Sequence, residues 1–111
     1  MKLVTVVAES AIERRVAADL LALGATGVTV TDARGEGTRR LGRSEFPGAN
    51  VRVEAVVPPP VAARIVEHLA ERYFADYALI AYVSDVTVVR SAKYDAAGRA
   101  GPDGEALGVD Q

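Results

Sequence analysis

Along the first third of the chain the apolar positions change period twice. Residues 2–8, KLVTVVA, are β-branched and apolar with only weak alternation, the pattern of a strand buried inside a sheet. Ser10 then precedes Glu13 by three, a capping box, and Ile12, Val16, Leu20 and Leu23 follow at helical spacing up to Gly24. The spacing predicts a helix over 10–23. From Thr26 to Asp32, Val28 and Val30 alternate with Thr29 and Thr31, predicting a second strand with its hydroxyls turned away from the core.

The period is then lost. Residues 34–50, RGEGTRRLGRSEFPGAN, hold four glycines and a proline, which predicts a long mobile loop of the kind that usually carries function. Alternation returns in VRVEAVV, a third strand over 51–57, ended by Pro58-Pro59-Pro60. Pro60 suits the first turn of a helix, and Val61, Ile65, Leu69 and Phe74 form one apolar stripe opposite Arg64, Glu67, Glu71 and Arg72, predicting a helix over 60–74. Residues 77–89, YALIAYVSDVTVV, read as a last strand with an interruption near Ser84-Asp85.

The order is therefore β-α-β, loop, β-α-β. It predicts an α+β, ferredoxin-like βαββαβ sandwich, an antiparallel sheet with both helices on one face. Apolar residues on the other face would leave a patch larger than soluble monomers tolerate, so that face is expected to be buried by self-association. One domain over 1–90 and a flexible tail over 91–111, rich in Gly, Ala and Asp, account for the 111 residues.

Composition narrows the chemistry. With no cysteine, disulfides, thiolate metal sites and thiol catalysis drop out together, as expected of a reducing cytoplasm. No apolar run approaches the roughly 20 residues of a membrane span, and Met1–Ala8 is too short for a signal peptide. The expectation is a soluble, cytoplasmic chain. A net charge of −2 argues against nucleic-acid binding, but the charge is uneven: Arg34, Arg39, Arg40, Arg43 and Arg52 against Glu36 and Glu45 give 34–52 a charge of +3 and leave the rest at −5. Arginine forks bind phosphate bidentately and glycines admit an anion to the backbone, so RGEGTRR can cradle phosphate oxygens. A solvated turn with ordinary surface arginines is the plainer account of the same residues.

Catalytic and metal-binding sets are poor. The single histidine, His68, stands mid-helix beside Glu67 and Glu71, where a structural role is favoured over proton transfer. One histidine and no cysteine speak against a transition-metal site. Asp32 and Glu36 read as a turn residue and a solvated carboxylate. The cluster Arg72-Tyr73-Phe74-Ala75-Asp76-Tyr77 reads as packing at a helix end. Arg90 and Lys93 could meet a phosphate across a subunit cleft or simply protect a sheet edge.

The segment Leu23–Arg39, LGATGVTVTDARGEGTR, resembles the second strand and loop entry of PII signalling proteins. The start KLVTV and the helix end RYFADYALIAY resemble the PII-like branch that regulates bicarbonate transport, so the likeness covers about 90 residues. The resemblance implies a homotrimeric regulatory protein, not an enzyme, that senses an adenine nucleotide at each intersubunit cleft. A mobile T-loop would signal to a partner, a membrane transporter or another cytoplasmic protein, and a transporter would draw the chain to the inner face of the membrane. It points to Gly27 and Thr29 for the base, to Gly35, Gly37, Thr38 and Arg39 for the phosphates, and to Val88, Val89 and Arg90 for the closing last-strand side; no metal or catalytic residue is implied. The Gly- and Lys-rich phosphate loop of PII proteins is replaced by ADYALIAYVSDV, which favours AMP, cyclic AMP or ADP over tight ATP binding with 2-oxoglutarate. The loop's only aromatic is Phe46, so uridylylation is not expected. The competing reading is a trimeric divalent-cation tolerance protein of the same fold.

Overall fold

The computed structural model describes residues 1–35 and 49–89. Strand β1 (Lys2–Glu9) leads through a 3-10 turn (Ser10–Ile12) into helix α1 (Glu13–Ala22). Strands β2 (Thr29–Ala33) and β3 (Asn50–Val57), helix α2 (Pro59–Tyr73) and strand β4 (Ile80–Asp85) follow. The strands form one sheet in the order β2-β3-β1-β4, with every neighbouring pair antiparallel. The α+β, ferredoxin-like arrangement read from the sequence is the one the chain adopts.

Alternation assigns the two faces. Val4, Val6 and Ala8 of β1 lie opposite Ala55, Val53 and Val51 of β3, and all six are buried in one cluster with Ile12, Val16 and Leu20 and with Ala62, Ile65, Leu69 and Tyr73 of α2. This aliphatic layer is the core. Ile65 is fully buried within it, so Ile65→Ala is expected to lower the unfolding free energy by about 2–5 kcal/mol in a urea titration. The opposite face carries Leu3, Thr5 and Val7 of β1, Arg52, Glu54 and Val56 of β3, and Ile80 and Tyr82 of β4, the last two about half exposed.

Element ends depart from the sequence pattern where a partner decides them. The predicted capping box does not form: helix α1 starts at Glu13 without a side-chain cap bond. Glu9 still pairs with Asn50, and the Ser10 N–H donates to the Ala49 carbonyl at 2.8 Å, so Ser10 remains tied to the sheet. The other end of α1 stops as predicted. Gly24 has φ +127°, its N–H donates to the Leu21 carbonyl at 3.2 Å, and that of Ala25 to the Leu20 carbonyl at 3.0 Å. This is a Schellman motif. A Cβ at Gly24 would in addition stand 3.2 Å from Val61 of α2.

That stop occupies the residues after Leu23, so β2 begins at Thr29 and not at Thr26. Pro58 caps α2, with Pro59 and Pro60 in its first turn, where their missing N–H groups cost nothing. Tyr73, four residues past Leu69, takes the core position expected of Phe74, which is about half exposed. Strand β4 is confined to 80–85 because among the described residues β1 is its only partner: Ile80 pairs with Val7, Asp85 with Lys2, and the Val86 N–H donates to the Met1 carbonyl at 3.1 Å. Most of the predicted loop (36–48) and the predicted tail (91–111) lie outside the described residues.

Candidate functional site

The turn at Gly24 sends the chain out of α1 across the end of the sheet, and residues 26–28 pass beside the end of β3 before β2 begins. Between them lies an open cleft of about 370 Å³, lined by Leu3, Thr26, Gly27, Val28, Thr29, Glu54, Ala55 and Val56. That volume falls in the range of small-ligand sites. Two residues singled out from the sequence, Gly27 and Thr29, stand in its wall, and a Cβ on Gly27 would meet nothing within 4 Å.

Glu54 is the residue that sequence reasoning missed. In VRVEAVV it looks like any outward strand position, yet the register sets it beside Thr5 on β1 and Thr29 on β2. The Thr5 hydroxyl donates to Glu54 Oε2 at 3.1 Å. Among the described residues Glu54 is the only charged side chain in the lining. The cleft therefore offers hydroxyls, backbone and one carboxylate, a set suited to the hydroxyls and amine of a nucleoside more than to phosphate.

The remaining predicted residues are not gathered there. Gly35 lies six residues past Thr29, up to about 20 Å along the extended chain. Val88 and Val89 follow β4 and do not belong to it. Strands β4 and β2 are opposite edges of the sheet, three strand spacings or about 14 Å apart. Neither Val88 nor Val89 is among the residues that line the cleft. Gly37, Thr38, Arg39 and Arg90 lie outside the described residues. Asn50 is buried, and among the described residues its Oδ1 has no hydrogen-bond partner.

A second polar cluster lies on the helical side. Asp19 Oδ2 accepts from the Tyr73 hydroxyl at 2.5 Å and contacts His68 Nε2 at 3.0 Å, linking α1 to α2. The Arg15 guanidinium lies 5.7 Å from the centroids of both Tyr73 and Tyr77 and donates to the Tyr77 hydroxyl at 3.3 Å. Burial, and then the bond to Asp19, push the Tyr73 phenol above its ordinary pKa. Among the described residues no three His, Cys, Asp or Glu side chains are placed to hold a metal, and no helix is long and apolar enough to cross a membrane.

Four antiparallel strands with both helices on one face, and an open cleft beside an edge strand, define a ferredoxin-like protein with a small-molecule-sized site. The family described as nitrogen regulatory protein P-II matches residues 1–93, and the chain belongs to it. Among solved structures it is similar to a PII-like signalling protein of Thermus thermophilus, with 49% identity over 84% of this chain and 92% of that one and a TM-score of 0.72. It is also similar in fold to CPII of Thiomonas intermedia bound to ADP, AMP and acetate, at 24% identity, 84% and 92% coverage and a TM-score of 0.71. CPII bound to ADP and bicarbonate aligns at 20% identity, covering 78% of this chain and 86% of that one, with a TM-score of 0.67. A search of curated proteins finds no match.

Proposed function

We propose that this chain is a cytoplasmic adenine-nucleotide sensor that works as a trimer and reports through residues 34–50 to a partner protein, without catalysing a reaction. The observation that carries the reading is the open cleft at Gly27, Thr29 and Glu54, built on the frame of a signalling family. Val88 and Val89 are not in the lining, which supports a trimer in which the last-strand side, Val88, Val89 and Arg90, comes to the cleft from a neighbouring copy. The exposed Ile80 and Tyr82 supply apolar surface for that association. The similarity to CPII, whose structures hold ADP, AMP and bicarbonate, supports AMP or ADP as ligand, leaves cyclic AMP to be tested beside them, and makes bicarbonate a co-ligand worth titrating. The base and ribose lie at Gly27 and Thr29, and the phosphates run toward Gly35, Gly37, Thr38 and Arg39. The partner is a membrane transporter or another cytoplasmic protein, reached without the chain entering the bilayer.

Isothermal titration of AMP, cyclic AMP, ADP and ATP, with mass by light scattering, tests this. Micromolar binding at one site per subunit of a trimer is the expected result, and no heat with any nucleotide removes the reading. Arg39→Ala is expected to weaken ADP by about 1.5–3 kcal/mol, the worth of a hydrogen bond to a charged group, and to leave the trimer mass unchanged. Equal affinity in the two proteins takes Arg39 out of the site.

A further inference from the structure

Thr5 has no exposed surface, although it lies on the face of the sheet away from the helices. A hydroxyl buried this completely needs a partner, and its partner is Glu54 Oε2. The β-branched Thr5 is stiff at χ1 and fixed in the central strand, whereas a glutamate on a strand surface is free to sample many rotamers. The rigid donor therefore holds the flexible acceptor. One carboxylate oxygen is engaged, and among the described residues Oε1 has no hydrogen-bond partner and is left to accept from a ligand in the cleft.

We propose that Thr5 is a positioning residue for the ligand site, holding Glu54 so that its free oxygen accepts from the neutral N–H and O–H donors of a nucleoside. The proposal rests on the nucleotide reading above and deepens it. An ionised carboxylate is an acceptor only, so it favours the nucleoside end of the ligand and repels the phosphate end. Glu54 thereby sets which end of a nucleotide enters the cleft, and Thr5 governs how well it does so. Without the Thr5 hydroxyl the carboxylate is still present but no longer aimed.

The test uses the full chain with ADP and inorganic pyrophosphate as probes, in wild type, Thr5→Val, Thr5→Ser, Glu54→Ala and the Thr5→Val/Glu54→Ala double variant. Thr5→Val is expected to weaken ADP about 10-fold, a fraction of the effect of a full hydrogen bond to a charged group, while Thr5→Ser binds within about twofold of wild type. The double variant is expected to bind no more weakly than Glu54→Ala alone, and pyrophosphate, which has no nucleoside, to be indifferent to every change. Without ligand, NMR three-bond couplings of Glu54 are expected to report one rotamer in wild type and Thr5→Ser, and averaged rotamers in Thr5→Val. Unchanged ADP affinity in Thr5→Val, a further loss in the double variant, or unaveraged couplings overturns the proposal. If wild type binds no ADP, the nucleotide reading falls, and the couplings alone decide whether Thr5 holds Glu54.

Discussion

A chain carrying Ile80→Asp and Tyr82→Asp is expected to remain folded, to run as a monomer in light scattering and to bind no adenine nucleotide. Both side chains are about half exposed on the face away from the helices, outside the buried aliphatic layer, so the substitutions leave the core intact. In a trimer buried through that face, each new carboxylate enters an apolar contact with no partner. Leaving a charge uncompensated in such a place costs about 3–5 kcal/mol, more than a hundredfold in an association constant. Loss of binding is expected because, in the proposed trimer, a neighbouring copy supplies the β4 side of each cleft. A variant that stays trimeric would place the subunit contact elsewhere, and a monomer that still binds ADP would show one chain sufficient for the site.

The second large effect concerns the contact between the helices. Asp19→Ala removes the acceptor of the buried Tyr73 hydroxyl and of His68 together. An orphaned buried hydroxyl costs about 1–3 kcal/mol, so Asp19→Ala is expected to unfold at correspondingly lower urea. Tyr73→Phe, which deletes the group needing a partner, is expected to lose less. The two also differ in alkali. A phenol raised in the folded state contributes stability that is complete below its ordinary value of 10.0 and is lost as pH rises through the folded value. Wild type is therefore expected to weaken as the pH climbs past 10.0, and Tyr73→Phe to lack that part of the decline. Parallel curves for the two proteins would take Tyr73 out of the alkaline transition.

What the sequence made legible follows from how local each feature is. The alternation in VRVEAVV and the 65-69 helical step are local, and the elements they predict are present. So is Gly24, whose stop depends on backbone within a few residues. Ends set by a distant strand were not legible: β4 is as long as its pairing with β1, and Ser10 is held by Ala49 in preference to capping α1. At the site, Gly27 and Thr29 were found because they neighbour each other in sequence. Glu54 was not, because only the pairing of β3 with β1 and β2 gives it Thr5 and Thr29 as neighbours. His68 looked tied to Glu67 and Glu71 on its own helix, whereas its partner, Asp19, comes from the neighbouring helix. The four-residue step Arg15-Asp19 was the available signal, since such a pair projects from one side of a helix; Tyr77 lies past the end of α2.

The pairing of Lys2 with Asp85 has a consequence for how the molecule comes into being. Strand β1 is made first but occupies the middle of the sheet, between partners that begin at Asn50 and Ile80. A nascent chain emerging from the ribosome therefore carries its most apolar strand through most of synthesis with one or both sides unclaimed. Contacts this distant in sequence are slow to close, and unpaired strands are prone to aggregate in the interval. Expression yield should respond to elongation rate over the second half of the message more than to any change within β1 itself.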